Sequence, residues 1–165
     1  MVSYQGTFEF FNNSFAFPEE VYKPKVVMAK YPKNSVMWYI DTYHPKFSFI
    51  VKKAQMDMRM GDPQFLGTVF LPLEDSLDED SMLNMDMNTA NKIVRYTYMR
   101  GLFPSKVLYT SPYQQLQSSM DGSYIWATVT DKNIMMLNYT TPVVYWDIVL
   151  DNGIIHIVKN LLNKP

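Results

Sequence analysis

The order of the predicted elements constrains the fold most, because helical segments come first and strand segments follow. Apolar residues recur at helical spacing after a capping residue, Asn34 or Ser35, and again after Pro45. From Lys106 onward the pattern changes to short apolar segments separated by turn signals such as Asp121–Gly122. This order predicts an α+β fold and not a repeated βαβ fold.

The individual elements can be assigned from the same patterns. We expect helices at 36–44 and 45–56, a strand buried on both faces at 66–72, a short helix in the acidic stretch 74–88, and a helix that starts after Thr89 and stops at Gly101. Strands are expected at 106–110, 114–119, 123–130, 133–140, 142–150 and 153–162. The second half of the chain should therefore supply most of the sheet.

Residues 1–32 have a different character and are predicted to form an extended N-terminal arm, followed by one domain at 33–165. Pro18, Pro24 and Pro32 disfavour helix there, and we expect a short strand at 5–11 and an extended piece at Lys25–Ala29. The candidate interaction residues of this arm are its phenylalanines: Phe8, Phe10, Phe11, Phe15 and Phe17. Such an arm either packs on its own domain or docks on a neighbouring protein.

Composition excludes several classes of function. The chain has 165 residues, 47% of them apolar, with a formal net charge of −1, so no electrostatic feature favours nucleic acid or an anionic membrane. No cysteine is present, and no apolar run reaches the roughly 18 residues needed for membrane insertion. The N-terminus does not have the pattern of a signal peptide. The 13 methionines and 15% aromatic residues suit a core and protein interfaces.

No arrangement of residues indicates catalysis, a metal or a cofactor. The two histidines, His44 and His156, lie far apart in the sequence and lack metal-ligand spacing. The acidic cluster that begins at Asp75 lacks the spacing of a calcium loop and is better explained as a solvated helix end. Glycine-rich phosphate loops and nucleophile elbows are absent from the sequence. We therefore expect a protein that is not an enzyme.

Two segments resemble the signatures of fasciclin (FAS1) domains. The stretch 67–77 is similar to the first signature through Thr68, Phe70 and Pro72. The stretch 152–162 resembles the second signature, and Asn152, Gly153 and His156 all match it. Over residues 33–165 this resemblance implies a β-sandwich or wedge of two sheets, with several helices in the N-terminal half.

The signature residues are expected to be structural. Gly153, after Asn152, suits a turn with positive φ, and the Thr68 hydroxyl is expected to bond locally. His156 is expected to be a buried framework residue bonded to backbone. Between the signatures, fasciclin domains usually carry a Tyr-His pair and a Pro-Gly pair; only Tyr96 and Gly101 remain here. Because that region is linked to integrin contact in adhesive members, its alteration argues against this kind of adhesion.

Three functions are compatible with these observations. The first is a structural interaction protein in a virion, an accessory or minor capsid component of a large DNA virus whose partners are neighbouring capsid or assembly proteins. The second is an extracellular adhesion or matrix module, which predicts glycosylation at the Asn138 sequon. The third is a small-molecule binder with a groove lined by Trp126 and Trp146. The missing signal peptide and the phenylalanine-rich arm favour the first.

Overall fold

The computed structural model describes residues 30–162, and its helices precede most of its strands. The helices are α1 (Val36–Tyr43), α2 (Pro45–Lys53), α3 (Asp57–Gly61), α4 (Glu79–Leu83), α5 (Met87–Tyr96) and α6 (Ser105–Leu108), with a 3₁₀ turn at Glu74–Ser76. The strands are β1 (Gly67–Pro72), β2 (Tyr98–Arg100), β3 (Tyr113–Gln117), β4 (Tyr124–Val129), β5 (Met135–Leu137), β6 (Thr141–Leu150) and β7 (Gly153–Val158). This order confirms the predicted α+β class.

Local capping explains where the first two helices begin. Ser35 accepts a hydrogen bond from the Trp38 amide at 3.1 Å and so caps α1. The Glu74 carboxylate caps α2 from a distant part of the chain, because it accepts from the amides of Lys46 at 2.9 Å and Phe47 at 3.2 Å. Asp78 and Asp86 cap α4 and α5 in the ordinary local way.

The strands follow the order β2-β1-β7-β6-β5-β4-β3, and only β1 and β7 pair in parallel. β6 connects two sheets: Thr141 and Pro142 pair with β5, whereas the rest of the strand pairs with β7. Two register shifts bend β6 on the way. The molecule thus has the two-sheet wedge that the family resemblance implies.

β1 and β7 lie in the middle layer and are buried at every position. Their side chains alternate between two hydrophobic cores, which explains the uninterrupted apolar runs in the sequence. The helix-side core lies between these strands and α1, α2, α3 and α5, and it contains Val69 and Ile155. The sheet-side core lies between them and β3–β5, and it contains Phe70 and Val158.

Some predicted elements differ from the structure, for local and for tertiary reasons. Residues 106–110 were expected to be a strand but fall largely in α6, since periodicity does not separate short apolar strands from helices. The helix expected to run to Gly101 ends at Tyr96, and Tyr98–Arg100 is β2, because β1 offers it a pairing edge. The predicted strand at 133–140 shortens to β5.

The arm and the domain do not divide cleanly at residue 33. Tyr31 is 3% exposed in the helix-side core, and its hydroxyl donates to Asp57 at 2.7 Å. The strand expected at 5–11, the extended piece at Lys25–Ala29 and the arm phenylalanines fall outside the described residues. None of the helices within residues 30–162 is long and apolar enough to cross a membrane.

Candidate functional site

His156 lies at the centre of the middle layer and is fully buried. Its ring packs against Trp146, with centroids 4.7 Å apart, and against Phe70 at 5.9 Å. Its Nε2 lies 2.8 Å from the Phe103 carbonyl oxygen, and its Nδ1 accepts from the Asp147 amide at 3.1 Å. The prediction of a buried imidazole bonded to backbone is therefore confirmed.

These two contacts determine the protonation state of His156. Because the Asp147 amide donates to Nδ1, that nitrogen has no proton, and Nε2 carries the proton that is donated to the Phe103 carbonyl. Burial lowers the pKa of His156, and this outweighs the opposing effects of the Phe103 carbonyl and the Asp147 carboxylate. The ring is thus neutral and saturated with partners, and neither nitrogen is open to a substrate.

The bulge in β6 is shaped around this imidazole. Opposite His156 the register shifts, and Asp147 adopts a φ of 64°, a conformation that is uncommon for a residue with a side chain. The Asp147 carboxylate accepts from the amide and the hydroxyl of Ser105 at the start of α6. Burial raises the pKa of Asp147, but the bonds from Ser105 outweigh it and leave the pKa lowered. The Asp147 carboxylate thus connects β6 to the first residue of α6 through hydrogen bonds.

Thr68 of the first signature and His156 both form hydrogen bonds with the loop that contains Gly101 and Phe103. The Thr68 hydroxyl donates to the Gly101 carbonyl at 2.8 Å and accepts from the Phe103 amide at 2.9 Å. These partners are far from Thr68 in sequence, so the expectation of a local bond was wrong. Gly101 has a φ of 107°, which a side chain would strain. Pro72 ends β1 as expected, and the following amide bonds to Val158 at 3.0 Å.

Asn152 and Gly153 join β7 to the helices. The Asn152 side chain accepts from the Val36 amide at 2.7 Å and donates to the carbonyls of Met60 and Asp62, both at 2.9 Å. Gly153 does not have the positive φ that was predicted. A Cβ there would lie 2.5 Å from the Gly67 carbonyl oxygen and 2.7 Å from Val36, so the need for glycine is close packing.

Tyr96 belongs to a separate buried network. Its hydroxyl donates to the Tyr124 carbonyl at 2.7 Å and accepts from the Asn138 amide nitrogen at 2.9 Å. Burial raises the pKa of Tyr96. The Asn138 oxygen accepts from the Trp126 amide at 3.0 Å, and Asn138 is only 8% exposed. The nitrogen that would carry a glycan is thus used inside the fold, contrary to the glycosylation expected for an extracellular module.

The second histidine, His44, lies apart from His156. Among residues 30–162, no group of three or more histidine or acidic side chains has the geometry to hold a metal ion. Nδ1 of His44 is buried without a partner, and burial lowers the pKa of this histidine. His44 sits at the α1–α2 junction beside Tyr39, whose ring centroid is 5.6 Å away. The nearby Glu74 carboxylate, which opposes this lowering of the pKa, accepts from the amides of Lys46 and Phe47 at the start of α2.

The two tryptophans do not form the ligand groove that was considered. Trp146 packs on His156 and on Tyr109, at 5.2 Å between centroids. Trp126 stacks on Tyr113 at 5.7 Å, on the β3–β4 surface. The two tryptophans thus serve different parts of the structure.

The most distinctive surface lies beside the C-terminal part of β6. Within residues 30–162, no strand pairs with the second edge of β6 beyond Pro142. Here Tyr145 is 62% exposed and Val149 is 71% exposed. Ile148 and Leu150 of β6 pack against the same helix-side core as Trp38 and Tyr39 of α1. Burial, followed by Tyr43 and Tyr145, raises the pKa of Tyr39. We call Trp38, Tyr39, Tyr43 and Tyr145 the aromatic strip.

The aromatic strip was not foreseen, because its members are distant in sequence. Tyr39 and Tyr43 have ring centroids 4.9 Å apart, and Trp38 meets Tyr43 edge-on at 6.1 Å. The helical spacing of Val36, Tyr39, Ile40 and Tyr43 predicts one shared face of α1, yet Tyr43 at its end is 56% exposed. The pairing of Tyr145 with Ile157 of β7 places it in the sheet that packs on the helices.

The combination of a two-sheet wedge, a helical layer and signature residues used for framework contacts defines a β-rich module whose signatures hold its layers together. The family model described as the fasciclin domain matches residues 43–164. The chain therefore belongs to the fasciclin domain family, whose members are typically non-catalytic adhesion and protein-interaction modules. No curated protein sequence matches the chain.

Among solved structures, the chain is similar to a FAS1 domain pair from the insect cell adhesion molecule fasciclin I. The TM-score is 0.66 and the sequence identity is 17%, and the match covers 81% of this chain and 52% of the other. The chain thus spans about half of the length of that structure. At this identity the similarity supports the fold and leaves the binding partner to be inferred from the surface.

Proposed function

We propose that this fasciclin domain binds a neighbouring protein subunit through the aromatic strip and the open edge of β6, as an accessory component of a large viral capsid. The observation that carries the proposal is the edge of β6 that no strand within residues 30–162 pairs with, beside which Tyr145 and Val149 are exposed. Exposed strand edges are templates for pairing with another chain, and proteins usually protect them with charges or proline. From Val143 to Leu150 the only charge on β6 is Asp147, which is bound to Ser105.

The chemistry of the surface indicates the kind of partner. An extended segment of a neighbouring subunit would add main-chain hydrogen bonds along β6, and its apolar side chains would pack on the aromatic strip. Tyrosine and tryptophan supply large contact areas at protein interfaces. The formal net charge of −1 does not oppose dense packing among subunits. The arm, with Phe8 and Phe10 near its start, offers a second anchor for neighbours.

The test introduces a charge at the open edge. Tyr145→Lys should lower incorporation of the full chain into purified particles several-fold, because lysine on an edge strand opposes strand addition. Tyr124→Lys is the matched control, since Tyr124 is also exposed, at 41%, but lies on β4. Quantitative mass spectrometry of particles and an unfolding curve for each variant provide the readouts. Equal incorporation of both variants would refute the docking surface, and absence of the native chain from particles would refute the capsid role.

The second candidate is an extracellular adhesion module, favoured by the similarity to a domain pair from a cell adhesion molecule. Glycosylation at Asn138 does not test it, because the folded structure uses that side chain internally. The informative sequon is Asn12. Intact mass of the native protein, together with surface labelling of cells, distinguishes the two: a glycan at Asn12 on a cell-surface form favours adhesion over the capsid role.

A further inference from the structure

A second surface, on the opposite side of the sheet from β6, has the properties of a binding cleft. An open cleft of about 730 Å³ lies beside the edge strand β2. That volume is within the range of roughly 300–1,000 Å³ found for ligand sites. Leu66 is 54% exposed and supplies apolar surface to the cleft, whereas Phe65 and Tyr98 beside it are buried in the core at 7% and 3% exposure. The cleft thus presents apolar surface that the described residues leave uncovered.

Two arginines make the cleft suitable for an acidic segment. Arg59 and Arg100 both line it and both are exposed. Arg100 lies 3.8 Å from Asp121, but this ion pair is largely exposed and therefore weak. The carboxylate of the cleft itself, Asp62, accepts from the Gln64 amide at 2.9 Å. The arginines outnumber this carboxylate, so an apolar segment followed by acidic residues fits the cleft best.

The described chain begins directly beside this cleft. Lys30 and Tyr31 lie in a neighbouring depression that shares Arg59 and Asp62 with the cleft. Tyr31 is fixed there, because it is buried and its hydroxyl bonds to Asp57. The first described residues are therefore fixed at the end of the cleft.

We propose that residues 15–20 of this same chain, Phe-Ala-Phe-Pro-Glu-Glu, occupy the cleft. In this arrangement Phe15 and Phe17 pack on the exposed side chain of Leu66, and Glu19 and Glu20 pair with the arginines. The nine residues between Glu20 and Lys30 span up to about 30 Å when extended, which is enough to turn back along the cleft. These nine residues carry lysines and no acidic side chain, so they suit the arginines less well.

This anchor would divide the arm into two parts. Residues 15–20 would hold it against its own domain, and residues 1–14, with Phe8, Phe10 and Phe11, would extend from a defined point on the surface. The inference concerns a contact within one chain, so it stands or fails independently of the capsid role and of the β6 surface.

The absence of native cysteines allows a direct test by disulfide trapping in the full chain. Phe17→Cys is combined with Gln64→Cys at the cleft, and the control combines Phe17→Cys with Lys132→Cys in the exposed β4–β5 turn. After mild oxidation, non-reducing electrophoresis separates an internally linked monomer from a linked dimer. We expect the monomer link at the cleft to form several-fold faster than in the control. Equal rates, or a predominant dimer that reveals the arm of a second copy, would overturn the proposal.

Charge exchange, made in the variant that carries Phe17→Cys and Gln64→Cys, tests whether the acidic residues of the arm pair with the arginines of the cleft. Glu19→Lys with Glu20→Lys should slow the link to the control rate, and adding Arg59→Glu with Arg100→Glu should restore it, because the charges are then complementary again. Lys132→Glu, which changes an exposed charge outside the cleft, should leave the rate unchanged. A link that is insensitive to both charge pairs would refute pairing of the acidic residues with the arginines.

Discussion

Replacing His156 tests whether its imidazole is a framework group or a reactive one. In His156→Gln the amide nitrogen replaces Nε2 and keeps the bond to the Phe103 carbonyl, but nothing then accepts from the Asp147 amide, which bonds to Nδ1 at 3.1 Å in the native chain. A buried unpaired donor costs about 1–3 kcal/mol. The loss of ring contacts with Trp146 and Phe70 adds to this. We expect the free energy of unfolding to fall by roughly 2–4 kcal/mol.

The same variant should change the pH dependence of stability. Burial lowers the pKa of His156 in the folded state, whereas in the unfolded chain this histidine has its ordinary pKa of about 6.5. Below that pH the unfolded chain therefore binds more protons than the folded chain. Native stability is therefore complete above that pH and declines as the pH falls towards the folded pKa, by at most about 1.4 kcal/mol per pH unit for each such group. His44 has a lowered pKa as well, so the variant should keep only the contribution of His44 to this decline.

Urea unfolding followed by tryptophan fluorescence, between pH 5 and 7.5, measures both effects. This range lies above the titration of Asp147, whose pKa is lowered, so its carboxylate does not contribute to the slope. Gln64→Ala is the control substitution, because Gln64 is exposed and its replacement should leave the free energy of unfolding unchanged. If His156→Gln were as stable as the native chain, or kept the full pH slope, the structural role of the imidazole would be refuted.

Other predictions concern the contacts of the framework residues. Gly153→Ala should destabilise the fold by about 2–3 kcal/mol in chemical denaturation, because the new methyl group would lie 2.5 Å from the Gly67 oxygen; full stability would disprove the close approach of β1 and β7. Gly122→Ala is its contrast, since nothing lies within 4 Å of a Cβ there and only the φ of 74° is strained. Asn138→Ala should lower the free energy of unfolding by roughly 1–3 kcal/mol, because the Trp126 amide loses its acceptor and the Tyr96 hydroxyl loses the donor of one hydrogen bond. The same loss in protein produced in a host without glycosylation would confirm that the side chain acts inside the fold.

The α+β order, most strand positions and the framework role of the second signature could be derived from the sequence. They depend on local information: capping at Ser35, proline at the first turn of α2, and apolar runs long enough to be buried on both faces. The wrong assignments of β2 and α6 have the opposite cause. Tyr98 pairs with Val69 across a long sequence separation, and Ser105 bonds to Asp147, which no local pattern reveals.

The candidate sites depended even more on the tertiary structure. The sequence alone determined that the chain has no cysteine and a nearly balanced charge. It also predicted that the histidine of the closing strand is buried, as the structure shows. Only the fold decided that Tyr39 of α1 and Ile148 of β6 would pack against one core, and that Arg59 and Arg100 would line one cleft. The physical reason is that burial follows local periodicity, whereas a binding surface is made by residues from separate elements whose register is decided when the sheet and helices pack together.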